Sequence, residues 1–332
     1  WFYNYANILL SLTFIIYLQM GIESVLFASF IVSSCSALFS GLTLKQKEKP
    51  LLKPTALYQS LFHFLHYGYP AAFAAVGTWI LASSDRLFLE FFRSTEELGL
   101  YSMSYHITEQ SMGLFISSFL LVFSPMLIKV WENHGKLKTE QFIKQMTELF
   151  IFLALPMVVG LSFVGKNILQ ILTTATYAEA SKVVPWIASA AALAGLSTLS
   201  YSGFILFKRM WLMTVTYLIA GVCNVLLNLV IIPQYGYYGA AITTTISYVL
   251  LVLLNAHLSS PLLNWSLPWN TLAKTVFASS LMLVGLSSLP VLNNPWLNLV
   301  YSIPSGAIMY ALVWILLFRK SLLKFKKELT LS

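Results

Sequence analysis

Of 332 residues, 58% are hydrophobic and only 10% are charged, with a mean hydropathy of +0.76. Soluble domains carry roughly 25% charged residues, so a soluble fold is excluded. The net charge of +8 would suit nucleic-acid binding in a soluble chain, but here it sits between apolar runs, where membrane topology accounts for it.

The first apolar runs cover 5–20 and 24–43. Each is close to the ~20 residues that cross a ~30 Å hydrocarbon core. The chain then turns basic at Lys45-Gln46-Lys47-Glu48-Lys49-Pro50 and Leu51-Leu52-Lys53-Pro54. Leu57, Leu61, Phe64 and Leu65 follow at helical spacing, which predicts a linker over 45–69 with an amphipathic helix lying on the membrane face. His63 and His66 beside them read as interfacial polar residues, since no third ligand lies nearby. Further runs occupy 70–92, 101–128, 143–165, 185–207, 211–232, 238–257, 272–291 and 297–318, which makes ten spans. They are continuous rather than alternating, which argues against a β-barrel. The expected fold is all-α, a polytopic transmembrane bundle.

Positive charge is confined to alternate gaps. Sixteen Lys and Arg fall in or beside 44–69, 129–142 and 208–210, at Lys274, or after 318; the opposite gaps hold only Arg93, Lys166 and Lys182. The positive-inside rule makes the first set cytoplasmic, and with it both termini of this stretch. The chain begins Trp1-Phe2-Tyr3, and its first span lacks the basic flank and cleavage site of a signal peptide. The expectation is a C-terminal portion of a longer protein.

No gap is long enough for a soluble catalytic domain, and neither a phosphate loop, a metal-ligand spacing nor a nucleophile elbow is present. Cys35 and Cys223 lie within spans and read as small apolar fillers. The expected answer is therefore not an enzyme, with no cofactor and no resident metal.

A charge inside the bilayer costs ~2.5–3.5 kcal/mol on insertion scales, so the few that occur mark candidate function. Asp85 and Arg86 lie in the third span and Glu109 in the fourth. Counted from the turn between these spans at 1.5 Å per residue, all three reach one level roughly 10–12 Å deep. Arg86 either faces a cavity, pairs with Glu90 at i,i+4, or snorkels outward. Glu109 serves either transport or a buried interhelical hydrogen bond, with His106 and Gln110 beside it. Asn224 and Asn228 share a helix face, as do Thr243 and Ser247; interhelical hydrogen bonding is the alternative to a substrate-path role for both pairs. Pro125, Pro156, Pro185 and Pro304 lie in or beside spans, where broken helices suit alternating access.

Two segments together carry a resemblance. One is Gly68-Tyr69-Pro70, Ser84-Asp85-Arg86 and Glu97-Leu98-Gly99-Leu100-Tyr101-Ser102; the other is Asn224 and Asn228 followed by Ile232-Pro233-Gln234-Tyr235-Gly236-Tyr237-Tyr238-Gly239-Ala240-Ala241. In order and spacing they resemble the polysaccharide, or O-antigen, flippases of the multidrug/oligosaccharidyl-lipid/polysaccharide exporter superfamily. That resemblance implies a MATE-like fold lacking roughly its first four helices. It implies 1–44 as the end of one lobe, 45–69 as the interlobe linker, 70–258 as a six-helix lobe, 259–318 as two accessory helices and 319–332 as a basic cytoplasmic tail.

It also implies an activity, in a bacterial inner membrane: moving an undecaprenyl-pyrophosphate-linked oligosaccharide between leaflets by alternating access, for polysaccharide, capsule or O-antigen synthesis. Asp85, Arg86, Glu109, Asn224 and Asn228 become substrate-path candidates. Arg86 would meet phosphate or an acidic sugar; Asp85 and Glu109 would meet sugar hydroxyls or a coupling ion, H⁺ or Na⁺. Trp79, Tyr101 and Tyr105 would stack on sugars or serve packing. Partners would be the lipid-linked glycan, membrane lipid, a polysaccharide polymerase and assembly proteins, and no nucleic acid. The alternatives are a cation-coupled multidrug exporter, against which Arg86 argues, and a membrane polymerase or ligase, which should carry a larger charged external loop than 166–184.

Overall fold

The computed structural model describes residues 2–21, 23–45, 54–173, 175–290, 292 and 294–329. These residues form helices and no strand. In chain order they are α1 (Phe2–Tyr17), α2 (Glu23–Lys45), α3 (Pro54–Phe92), α4 (Thr95–Leu172), a 3-10 segment (Ala175–Val183), α5 (Val184–Ser200), α6 (Ser202–Leu206), α7 (Met210–Ser259), α8 (Trp269–Ser287) and α9 (Pro295–Leu329).

Two of these helices are far too long for one crossing. α4 has 78 residues and α7 has 50, and each is folded back at a single glycine: Gly135 (φ 73°, ψ −169°) and Gly236 (φ 57°, ψ −140°). Both conformations lie in the left-handed region, which side chains with a Cβ enter only at a cost. The gaps expected at 129–142 and 233–237 are thus elbows within helix rather than loops. Phe115 packs on Phe150 at 5.6 Å and Phe123 stacks on Phe142 at 5.9 Å, so the two arms of α4 run antiparallel. The ten expected spans correspond to α1, α2, α3, the two arms of α4, α5 with α6, the two arms of α7, α8 and α9.

By length and hydropathy, five stretches among the described residues qualify as membrane crossings: Glu23–Thr43, Thr95–Leu172, Tyr177–Leu206, Met210–Ser259 and Pro295–Phe318. α1, with 16 residues, is shorter, and α3 carries Asp85, Arg86 and Glu90 within its apolar stretch. The helix expected over 55–67 and the span over 70–92 prove to be one element, α3. α9 likewise runs on to Leu329 through most of the expected tail, with non-helical backbone only at Phe318. Residues 46–53, the side chains of His63 and His66, and those of the basic tail lie outside the described residues.

The chain divides into two compact units, Trp1–Leu65 and His66–Ser332. In the first, α1 and α2 face each other across a polar seam: Asn7 donates to Ser29 at 2.9 Å and the Tyr3 and Ser33 hydroxyls meet at 2.8 Å, while Ser11 donates to Asn7 within α1 at 3.2 Å. Leu9, Ile16, Phe30 and Phe39 point outward and are exposed. Apolar outside and polar between helices is the arrangement that lipid favours, because hydrocarbon offers no hydrophobic drive to hold two helices together.

In the second unit, the arms of α4 enclose an aromatic core with α5 and the far arm of α7. α8 and α9 lie against α4, where the Tyr310 hydroxyl donates to the Phe152 carbonyl at 2.8 Å. α3 crosses α7 at Gly77, where a Cβ would come within 2.9 Å of the Tyr217 carbonyl carbon. Only a residue without a side chain allows that approach.

Candidate functional site

α3, the first arm of α4 and both arms of α7 converge on the polar residues expected from the sequence. Asp85 is fully buried. Its Oδ2 accepts hydrogen bonds from the Tyr101 hydroxyl and, at 3.3 Å, from the Thr244 hydroxyl; its Oδ1 accepts the Arg86 backbone N–H at 2.9 Å. Three donors thus surround a carboxylate inside the bundle, which is what a buried charge requires.

Asn224 and Asn228 are also fully buried. The Ser84 hydroxyl donates to Asn224 Oδ1 at 2.6 Å, while Asn228 Nδ2 donates to Ser84 Oγ at 3.2 Å and to Asn224 Oδ1 at 3.1 Å. The Thr243 hydroxyl closes the set on Asn228 Oδ1. α3 and both arms of α7 are therefore tied together by one network. Ser247 donates instead to the Thr243 carbonyl of its own helix at 2.7 Å. Asp85, Asn224 and Asn228 all belong to the packing between helices, and none reaches an open wall.

Arg86 and Glu109 are placed differently. Arg86 is half-buried, with its guanidinium carbon 4.5 Å from the centroid of the Tyr105 ring. That is a cation–π contact. Its Nε is buried without a hydrogen-bond partner, and among the described residues it forms no ion pair with Glu90. Glu109 is exposed, as are His106 and Gln110, and no hydrogen bond or ion pair joins Glu109 to another described residue. Tyr105 lies within electrostatic reach of Glu109, Asp85 and Arg86 together. Of the aromatics, Tyr101 and Tyr105 are buried, whereas Trp79 is exposed.

Sequence reasoning missed a second cluster, at the lysine-poor end of the same helices. Arg93 and Glu97 flank the α3–α4 turn and pair at 2.8 Å, and both reach the Gly236 elbow of α7. Glu97 holds the Arg93 pKa above its ordinary value by hydrogen bond and charge. The local signal was present in Ser94-Thr95-Glu96-Glu97, a capping-box pattern in which Ser94 accepts the Glu97 N–H at 3.2 Å. The contact with α7, 140 residues away, had no such signal. Among the described residues no group of three His, Cys, Asp or Glu converges on a metal-sized site.

The model of a family described as polysaccharide biosynthesis protein matches residues 5–182, more than half of the chain. The chain belongs to that family.

Its relatives include the capsular polysaccharide biosynthesis protein CapF of Staphylococcus aureus, 28% identical over 181 residues, which are 54% of this chain and 45% of CapF. The probable low-salt glycan biosynthesis flippase Agl15 of Haloferax volcanii is 21% identical over 267 residues, 78% of this chain and 54% of Agl15. The chain spans about half the length of these relatives. Among solved structures, the lipid II flippase MurJ in an inward closed conformation superposes with a TM-score of 0.77 at 19% identity, covering 96% of this chain and 66% of MurJ. This family member therefore has the MurJ fold and is a multi-pass membrane protein.

Proposed function

We propose that this chain is part of a flippase that carries an undecaprenyl-pyrophosphate-linked oligosaccharide from the inner to the outer leaflet of a bacterial plasma membrane, by alternating access, for capsule, O-antigen or related polysaccharide synthesis. The observation that carries the reading is Arg86. It is a cation within an apolar helix, held on the Tyr105 ring, with no ion pair to a carboxylate among the described residues. A guanidinium in that state suits phosphate oxygens, to which it presents a planar fork of donors. Glu109, exposed beside it, suits sugar hydroxyls. Asp85, buried among hydroxyls, is the proposed seat of a coupling ion, H⁺ or Na⁺. The family and the MurJ-like fold support this reading. The lysine-rich ends of the helices are assigned to the cytoplasm by the positive-inside rule, and with them both termini. A polysaccharide polymerase and assembly proteins are the proposed partners.

The test uses cells that depend on the full-length gene and have no second flippase. A glycan-binding probe measures outer-leaflet exposure with wild type, with Arg86→Ala and without the gene, and membrane abundance is checked in each. Deletion and Arg86→Ala at normal abundance should both trap glycan inside. Normal exposure without the gene overturns the reading, and drug export becomes the next assay.

A further inference from the structure

An elbow in a helix leaves backbone groups without partners on both sides of the break. The arm that ends there exposes carbonyls and carries a partial negative charge; the arm that begins there exposes N–H groups and carries a partial positive charge. At the Gly236 elbow of α7 these needs are met from another hairpin. Arg93 Nη1 donates to the Pro233 carbonyl at 3.4 Å, on the ending arm, and Glu97 Oε2 accepts the Tyr237 N–H at 3.2 Å, on the starting arm. The two side chains hold each other meanwhile, Arg93 Nε and Nη2 meeting Glu97 Oε1 at 2.9 and 2.8 Å. Each charge thus faces the helix end of opposite sign. Gly236 is part of the fit, because a Cβ there would strike the Glu97 carboxylate and come within 3.1 Å of Arg93 Nε.

We propose that Arg93 and Glu97 are positioning residues that clamp the α3–α4 turn onto the α7 elbow and so hold the outer half of α3, with Asp85 and Arg86, in register with both arms of α7. The clamp has a direction. An ordinary surface ion pair contributes little and survives exchange of its partners. This pair should not survive exchange, since a reversed pair sets a carboxylate against carbonyls and a guanidinium against N–H groups.

The test is geometric and does not depend on what the protein carries. In the full-length protein with Cys35→Ala and Cys223→Ala, spin labels are attached at Phe91→Cys and Tyr235→Cys, both exposed positions next to the clamp. Pulsed electron resonance then gives the distance distribution between α3 and α7. Wild type should show one narrow peak, and Glu96→Gln, altering the neighbouring carboxylate that no ion pair engages, should keep it. Arg93→Ala and the exchange Arg93→Glu with Glu97→Arg should both lose it. Recovery of the narrow peak on exchange, or an unchanged peak in Arg93→Ala, overturns the proposal. Should these variants fail to accumulate, Arg93→Lys decides: it keeps the charge but has a single nitrogen in place of the fork, so the peak should broaden, and an unchanged peak overturns the clamp.

Discussion

Asn228→Ala probes the polar network at its centre. The substitution removes two donated hydrogen bonds and one accepted hydrogen bond at a fully buried position. Few of the remaining groups are stranded. Ser84 keeps Asn224 as its acceptor at 2.6 Å, and the Thr243 hydroxyl has the Ala240 carbonyl at 2.9 Å. At the ~0.6 kcal/mol that interhelical hydrogen bonds in membranes average, the two that cross between helices and the one to Asn224 within the same arm together come to about 2 kcal/mol, and the fallback partners lower it. The void left by the amide adds back part of that difference. The expected loss is about 1–2 kcal/mol, with the protein still accumulating in the membrane. Reversible unfolding of the purified full-length protein in mixed micelles, as denaturing detergent is raised, measures it directly. A loss beyond ~4 kcal/mol would show the network acting as one unit in which fallback partners are useless; no loss would show that these bonds contribute nothing.

Four further outcomes follow from single substitutions. Gly236→Ala combines a left-handed φ of 57° with a clash against Glu97, so thermal unfolding should show a loss of ~1–3 kcal/mol, whereas Gly160→Ala, with open space around it in α4, should be neutral or gain ~0.5–1 kcal/mol. Gly77→Ala meets backbone of Tyr217 rather than a flexible side chain, and the forced shift of α3 from α7 should cost ~1–3 kcal/mol in the same assay. Glu109→Gln touches an exposed residue and should leave stability within ~0.5 kcal/mol of wild type, so any fall in glycan exposure at normal abundance belongs to transport.

The spans were legible because they depend on distance along the chain. Apolar run length gives the crossings. Azimuth was not legible. In a soluble helix the polar stripe marks the outward face, but here lipid and interior are both apolar, and the same polar residue serves either side. Asp85 turns inward to Tyr101 and Thr244 while Glu109 turns outward, and no periodicity distinguishes them. Asn224 and Asn228 hydrogen-bond to Ser84 of α3 and, through Asn228, to Thr243 of the other arm of α7. The elbows were half visible: Gly236 follows a proline in a turn-like run, and Gly135 sits among charged residues. That helix continues on both sides of each glycine depends on the antiparallel arms, whose contacts join residues far apart in sequence.

The arms of α4 outrun the bilayer. From 95 to 134 the first arm measures roughly 60 Å at 1.5 Å per residue, about twice the thickness of a hydrocarbon core. An arm that long, standing upright, reaches out of the membrane, and the two arms join directly at Gly135. A small tilt about the bilayer midplane is magnified at that tip, in the manner of a lever. A fluorophore at Leu137, 76% exposed just beyond the elbow, would sweep a wide arc and report motions too slight to follow within the bilayer.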